Sequence, residues 1–170
     1  MMSVWLIDKL MNWKAVIGMK WIVLVHVISA IVGLGPTYAF PMLLRSGSSI
    51  REMERSLRQV SALELFPKLF GTIAVLSGLV LFFLGSYGSF LQVWIVGTLV
   101  LYVIVELVII LRLNPAAKKL HSRLADSLTP DETAAASPEV SALYDQVCRS
   151  HIWATVLGTI IFILMILKPH

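Results

Sequence analysis

Residues Trp21–Leu44 read WIVLVHVISAIVGLGPTYAFPMLL, without one Asp, Glu, Lys or Arg. Crossing ~30 Å of hydrocarbon takes ~20 apolar helical residues, and this stretch is long enough. Three others follow it, at about Phe66–Ser86, Phe90–Leu111 and His151–Leu167. Their apolar residues run continuously instead of alternating, which argues against barrel strands. In lipid only helices and closed barrels satisfy every backbone group. The sequence therefore predicts an all-α integral membrane four-helix bundle, one four-span domain over residues 1–170. Composition agrees. The 170 residues are 58% hydrophobic and 14% charged, where a soluble domain is roughly a quarter charged, and the mean hydropathy is +0.84. A single cysteine, Cys148, excludes a disulfide scaffold and reads as a buried small residue.

Residues 1–20 carry Trp5 and Trp13 and read as an interfacial segment before the first span. The apolar run behind them is too long for a cleaved leader. Spans two and three are separated only by Ser86–Ser89 and form an antiparallel hairpin. The other two connections are long. In Arg45–Leu65, Ile50, Met53, Leu57 and Val60 share one helical face, which predicts a helical extension at the membrane surface. In Arg112–Ser150, Leu120, Leu124 and Leu128 recur every fourth residue. Two helix starts follow: the capping box Thr129-Pro130-Asp131-Glu132, and Ser137-Pro138-Glu139, from which a helix can run unbroken into the fourth span. Ten of the 14 Lys and Arg lie on or beside these two connections. The positive-inside rule puts both connections in the cytoplasm and both termini outside a cell (inner or plasma) membrane. This topology accounts for the net charge of +4, and no nucleic-acid motif accompanies it.

Bundle interiors in lipid are marked by small and polar residues. His26, Ser29, Ala30, Gly33 and Thr37 share one face of the first span. Gly71, Ala74, Gly78 and Gly85 make a small-residue seam on the second, suited to close packing and to a homo-oligomer. Gln92, Leu99, Tyr102 and Glu106 share a side of the third; His151, Thr155, Gly158 and Thr159 do so on the fourth. Gly35-Pro36 breaks the first span, freeing a carbonyl near position 32. Such a break is either a packing kink or a ligand site.

Ionisable side chains within spans are costly and mark functional candidates. His26 is either a hydrogen-bonded neutral imidazole or an axial ligand to haem iron. Glu106 is either a structural carboxyl bonded to Tyr102 or a proton or cation site near the kink. His151 sits at the inner edge. The predicted depths of His26 and His151 differ by most of the bilayer, so the two cannot share one haem. Met165 lies at a depth that suits a second axial ligand opposite His26. A more inward polar cluster would gather Glu106, Tyr102, Thr37, Tyr38 and His151. The functional classes left open are a haem-binding or redox-linked module, a small transporter or ion-conducting bundle, and a non-catalytic assembly protein.

The stretch KWIVLVHVISAIVGLGPTYAFPMLLR and the closing FILMILKP resemble a family of predicted bacterial integral membrane proteins, domain of unknown function 2269. That family is distantly similar to copper-resistance-D-type and HemJ-type four-helix membrane proteins. In HemJ-type protoporphyrinogen oxidases a first-helix histidine works with a third-helix lysine at haem b. The resemblance implies haem b as cofactor and His26 as its ligand. The third span here carries Glu106 and no lysine, a departure that speaks against porphyrin oxidation.

Overall fold

The computed structural model describes residues 2–46, 49–85, 88–127 and 136–169, with side chains from Gly18 onward except those of Ser46 and Ser127. Helix α1 runs Met2–Leu34, so the segment before the first span is helical and continuous with it. At Gly35 the helix tightens into a 3-10 turn, Gly35–Ala39, followed by the single-turn α2 (Phe40–Leu43) and a second 3-10 turn, Leu44–Ser46. Pro36 stands in the first turn of the 3-10 segment, where a missing N–H is tolerated. Two hydroxyls meet the carbonyls around the break. Thr37 Oγ1 donates to Leu34 O at 2.7 Å, and Thr155 Oγ1 donates to Thr37 O at 3.1 Å. The kink is thus tied to the fourth span.

Helix α3 (Ile50–Leu63) opens with a capping box. Ser49 Oγ accepts the Glu52 N–H, and the Glu52 carboxylate accepts the Ser49 N–H. One residue, Glu64, separates α3 from α4 (Leu65–Leu84). Helix α5 (Val93–Val108) passes through a π turn, Ile109–Leu113, into α6 (Asn114–Ser127). Helix α7 (Pro138–Leu167) starts where the sequence placed it, with Ser137 Oγ accepting the Val140 N–H at 3.4 Å. The Thr129–Glu132 capping box and Leu128 lie outside the described residues.

Among the described residues four helical stretches are long and apolar enough to cross a membrane, and the protein is a multi-pass membrane protein with a helical extension at one end. The extension holds most of the buried apolar side chains. Met53, Leu57 and Val60 of α3, Leu120 and Leu124 of α6, and Val140, Tyr144 and Val147 of α7 form one buried cluster with Phe40 and Leu44. The α3 apolar face is therefore turned onto protein, where the sequence alone suggested a membrane surface. In water, apolar burial drives this association. Glu139 joins the layers from α7, with Lys119 Nζ 3.1 Å and Arg123 Nη2 3.3 Å from its Oε1. The Lys119 hydrogen bond, and then the Arg123 charge, hold the Glu139 carboxyl below its ordinary value.

Inside the spans the pattern inverts. Large residues such as Leu76, Phe83 and Ile110 point outward, while Ser29, Ser77 and Thr155 are buried. Lipid is as apolar as leucine, so close packing and hydrogen bonding decide which face turns inward. Helix α1 packs on α4, and α5 on α7. A Cβ added at Gly33 would stand 3.1 Å from Gly71 N and 3.3 Å from Phe70 C; one at Gly78 would stand 3.0 Å from His26 Cε1. Part of the small-residue seam thus packs on α1 of the same chain, with His26 against Ala74 and Gly78 and Gly33 against the Gly71 backbone.

Candidate functional site

A cavity of about 470 Å³ opens among α1, α4, α5 and the C-terminal half of α7. This volume lies within the ~300–1,000 Å³ of ligand sites. Its wall is almost wholly apolar, and Phe82 and Phe90 meet edge to face across one side at 5.1 Å. His26, Thr98, Tyr102 and Met165 all line it. Two residues matched by depth in the sequence, His26 and Met165, therefore do meet one space.

The imidazole is oriented by its neighbours. His26 Nδ1 stands 2.8 Å from Ala74 O. A carbonyl only accepts, so Nδ1 carries the proton. The same N–H is 3.3 Å from Ser77 Oγ, whose hydroxyl in turn donates to Ile73 O at 2.6 Å. In the neutral ring the second nitrogen, Nε2, is then the acceptor, and no hydrogen bond to it is found among the described residues. A histidine whose Nδ1–H is anchored to a carbonyl while Nε2 stays open has the arrangement that metal-bound imidazoles use. Thr98 adds a second unmet polar atom, because its hydroxyl is buried without a hydrogen-bond partner. At the cavity mouth Lys168 lies over the Trp94 ring, 5.4 Å from its centroid. Trp94 is itself oriented by donating from Nε1 to Gln92 Oε1 at 2.6 Å.

The proposed inward polar cluster divides in two. Tyr102 belongs to the His26 cavity, and Glu106 is its neighbour one turn further along α5. Thr37, Tyr38 and His151 gather instead at the helix break. Tyr38 OH and Thr159 Oγ1 are 2.8 Å apart, and Thr155 Oγ1 bridges Thr37 O and His151 O. No hydrogen bond or ion pair among the described residues links Glu106 to this group.

His151 is 4% exposed, packed edge-on against Phe40 with ring centroids 4.9 Å apart. Its Nε2 lies 3.5 Å from Glu64 Oε1, within electrostatic reach but too long for a good hydrogen bond. Glu64 also pairs with Lys68 at 2.7 Å. Sequence reasoning missed Glu64, which precedes the second apolar run by a single residue and read as connection. The i, i+4 spacing to Lys68 was the available signal. It also missed Thr98 and Lys168, neither distinctive beside an apolar run. Among the described residues no three His, Cys, Asp or Glu side chains converge on a common metal site.

No curated protein and no solved structure matches the chain. Neither comparison shows the likeness to copper-resistance-D-type and HemJ-type proteins. A family model does match, described as "Predicted integral membrane protein (DUF2269)" and covering residues 20–169. It spans all four membrane helices and the extension, and the chain belongs to this family.

Proposed function

We propose that the protein is a haem-binding, redox-linked membrane module in which His26 is the axial ligand. The observation that carries this reading is the imidazole geometry. His26 Nδ1 is held by Ala74 O, its Nε2 makes no hydrogen bond among the described residues, and the residue lines a cavity walled by aromatic and aliphatic side chains. The residues present suit haem b. Its macrocycle is large, flat and apolar, and its iron takes a neutral imidazole. Met165 supplies a thioether on the same cavity, and Thr98 a hydroxyl that lacks a partner. Bound there, haem would supply one-electron transfer. The protein's own part is to fix the His26 tautomer, exclude water and hold Nε2 in place.

The same reading sets the protein in the inner or plasma membrane. Its extension faces the cytoplasm, as the ten-to-four distribution of Lys and Arg favours. The test is the absorption spectrum of protein purified in detergent after expression with haem supply. A Soret band in the wild type that is lost or shifted in His26→Ala is the expected result. A band unchanged in His26→Ala removes His26 from the role. Colourless wild-type protein ends the haem assignment.

A further inference from the structure

A second cleft, of about 510 Å³, lies on the opposite side of α7 from the helix break. It is bounded by the π turn after α5 and by the stretch of α7 that enters the membrane. Arg112 and Arg149 both line it, one from each wall. Neither arginine has an ion-pair partner among the described residues. Asp145, one turn before Arg149, forms no bridge to it. Gln146 adds a side-chain amide at the rim, and its backbone carbonyl accepts from Ser150 Oγ at 2.8 Å. Below the arginines the wall turns apolar through Val108 and Leu157, and Trp153 stands beside them 61% exposed.

This vertical order matches a lipid at the interface. Tryptophan belongs at headgroup level, guanidinium groups bind phosphate in the same zone, and aliphatic side chains continue into the acyl region. Basic pockets between spans are recognised lipid headgroup sites. A π turn also supports a site here, since such turns concentrate where function requires a local departure from the α-helix. We propose that the cleft binds the phosphate of an anionic phospholipid headgroup through Arg112 and Arg149. A soluble phosphate would not use the apolar lower wall or Trp153. The proposal stands independently of the haem assignment.

The test uses full-length protein in phosphatidylcholine vesicles, with brominated phosphatidylglycerol as a quencher of tryptophan fluorescence. Relative affinity is read by competition with unbrominated lipids. Wild type is expected to prefer phosphatidylglycerol. Each of R112Q and R149Q is expected to weaken that preference about five-fold, and the double variant about thirty-fold, at ~1 kcal/mol per basic side chain near the surface. The control R55Q/K118Q removes the same charge from the same end of the molecule, outside the cleft. An equal loss in that control would reduce the effect to bulk surface charge and overturn the site. Full preference retained in both single variants overturns it as well, even if the double variant fails to fold. If inorganic phosphate added to the same vesicles displaced the brominated lipid as effectively as unbrominated phosphatidylglycerol does, the cleft would belong to a soluble anion, and the lipid assignment would fall.

Discussion

Replacing either of two glycines by alanine should separate the packing of α1 on α4 from the intrinsic cost of glycine in a helix. Gly33 and Gly71 face the same interface. A Cβ on Gly33 would lie 3.1 Å from Gly71 N and 3.3 Å from Phe70 C, both backbone atoms that cannot swing aside. A Cβ on Gly71 meets nothing within 4 Å. Alanine gains ~0.5–1 kcal/mol over glycine in a helix at either position, so that contribution nearly cancels in the comparison. What remains is the overpacking at Gly33, about 1–3 kcal/mol. Gly33→Ala should therefore be less stable than Gly71→Ala by this amount, roughly 5- to 150-fold in the unfolding equilibrium. The assay is reversible unfolding in mixed micelles as denaturing detergent is added, followed by circular dichroism. His26 lies on the α1 face that Gly33 belongs to, about 10 Å away by helical rise. Gly33→Ala should then also loosen the Nδ1 to Ala74 O bond. Equal stabilities of the two variants, or a less stable Gly71→Ala, would refute the argument, because the two helices would not approach as these distances require.

Two further outcomes follow from the extension and its junction with the bundle. Leu124 is fully buried in the cluster formed by α3, α6 and α7, and Leu124→Ala should cost about 2–5 kcal/mol. Limited proteolysis should then cut α6 while leaving the spans intact, and unchanged protease resistance would count against a packed extension. Glu64→Ala removes the partner of both Lys68 and His151. It should cost about 0.2–1 kcal/mol in the same detergent unfolding assay, whereas Glu64→Gln should retain part of that stability. Full stability in Glu64→Gln would assign Glu64 a purely steric role and refute the electrostatic one.

The spans were legible because hydrocarbon thickness imposes a length that few soluble helices meet. The fourth helix was legible down to its first residue, since Ser137-Pro138 combines an N-cap hydroxyl with a proline that needs no N–H. The partner of α3 was not legible. Ile50, Met53, Leu57 and Val60 make an apolar stripe suited equally to lipid or to another helix, and only the return of α6 and α7 to the same end decides between them. The split of the polar cluster was hidden for a related reason. Tyr102, Glu106, Thr37, Tyr38 and His151 have compatible depths, but depth along a helix does not fix rotation about it. Rotation is set by contacts such as Gly33 on Gly71 and His26 on Ala74, which tie α1 to α4 before α5 or α7 takes part.

The two histidines show why rotation and closure matter more than residue type. His151 has the features of a buried functional imidazole, yet Phe40 lies against its ring and the Glu64 carboxylate faces its Nε2 at 3.5 Å. That nitrogen is buried and faces a carboxylate, and His151 does not line the cavity that His26 lines. His26 is less buried, but the α4 backbone takes up its Nδ1, and the glycine at position 78 leaves space beside the ring. A side chain at Gly78 would press on the imidazole itself. The same seam of small residues that lets α1 and α4 pack closely therefore also sets the pose of the span histidine that lines the cavity. Packing and the pose of the imidazole at this site are a single structural feature, which is why the His26 side of the bundle, and not the His151 side, is the one proposed to hold a cofactor.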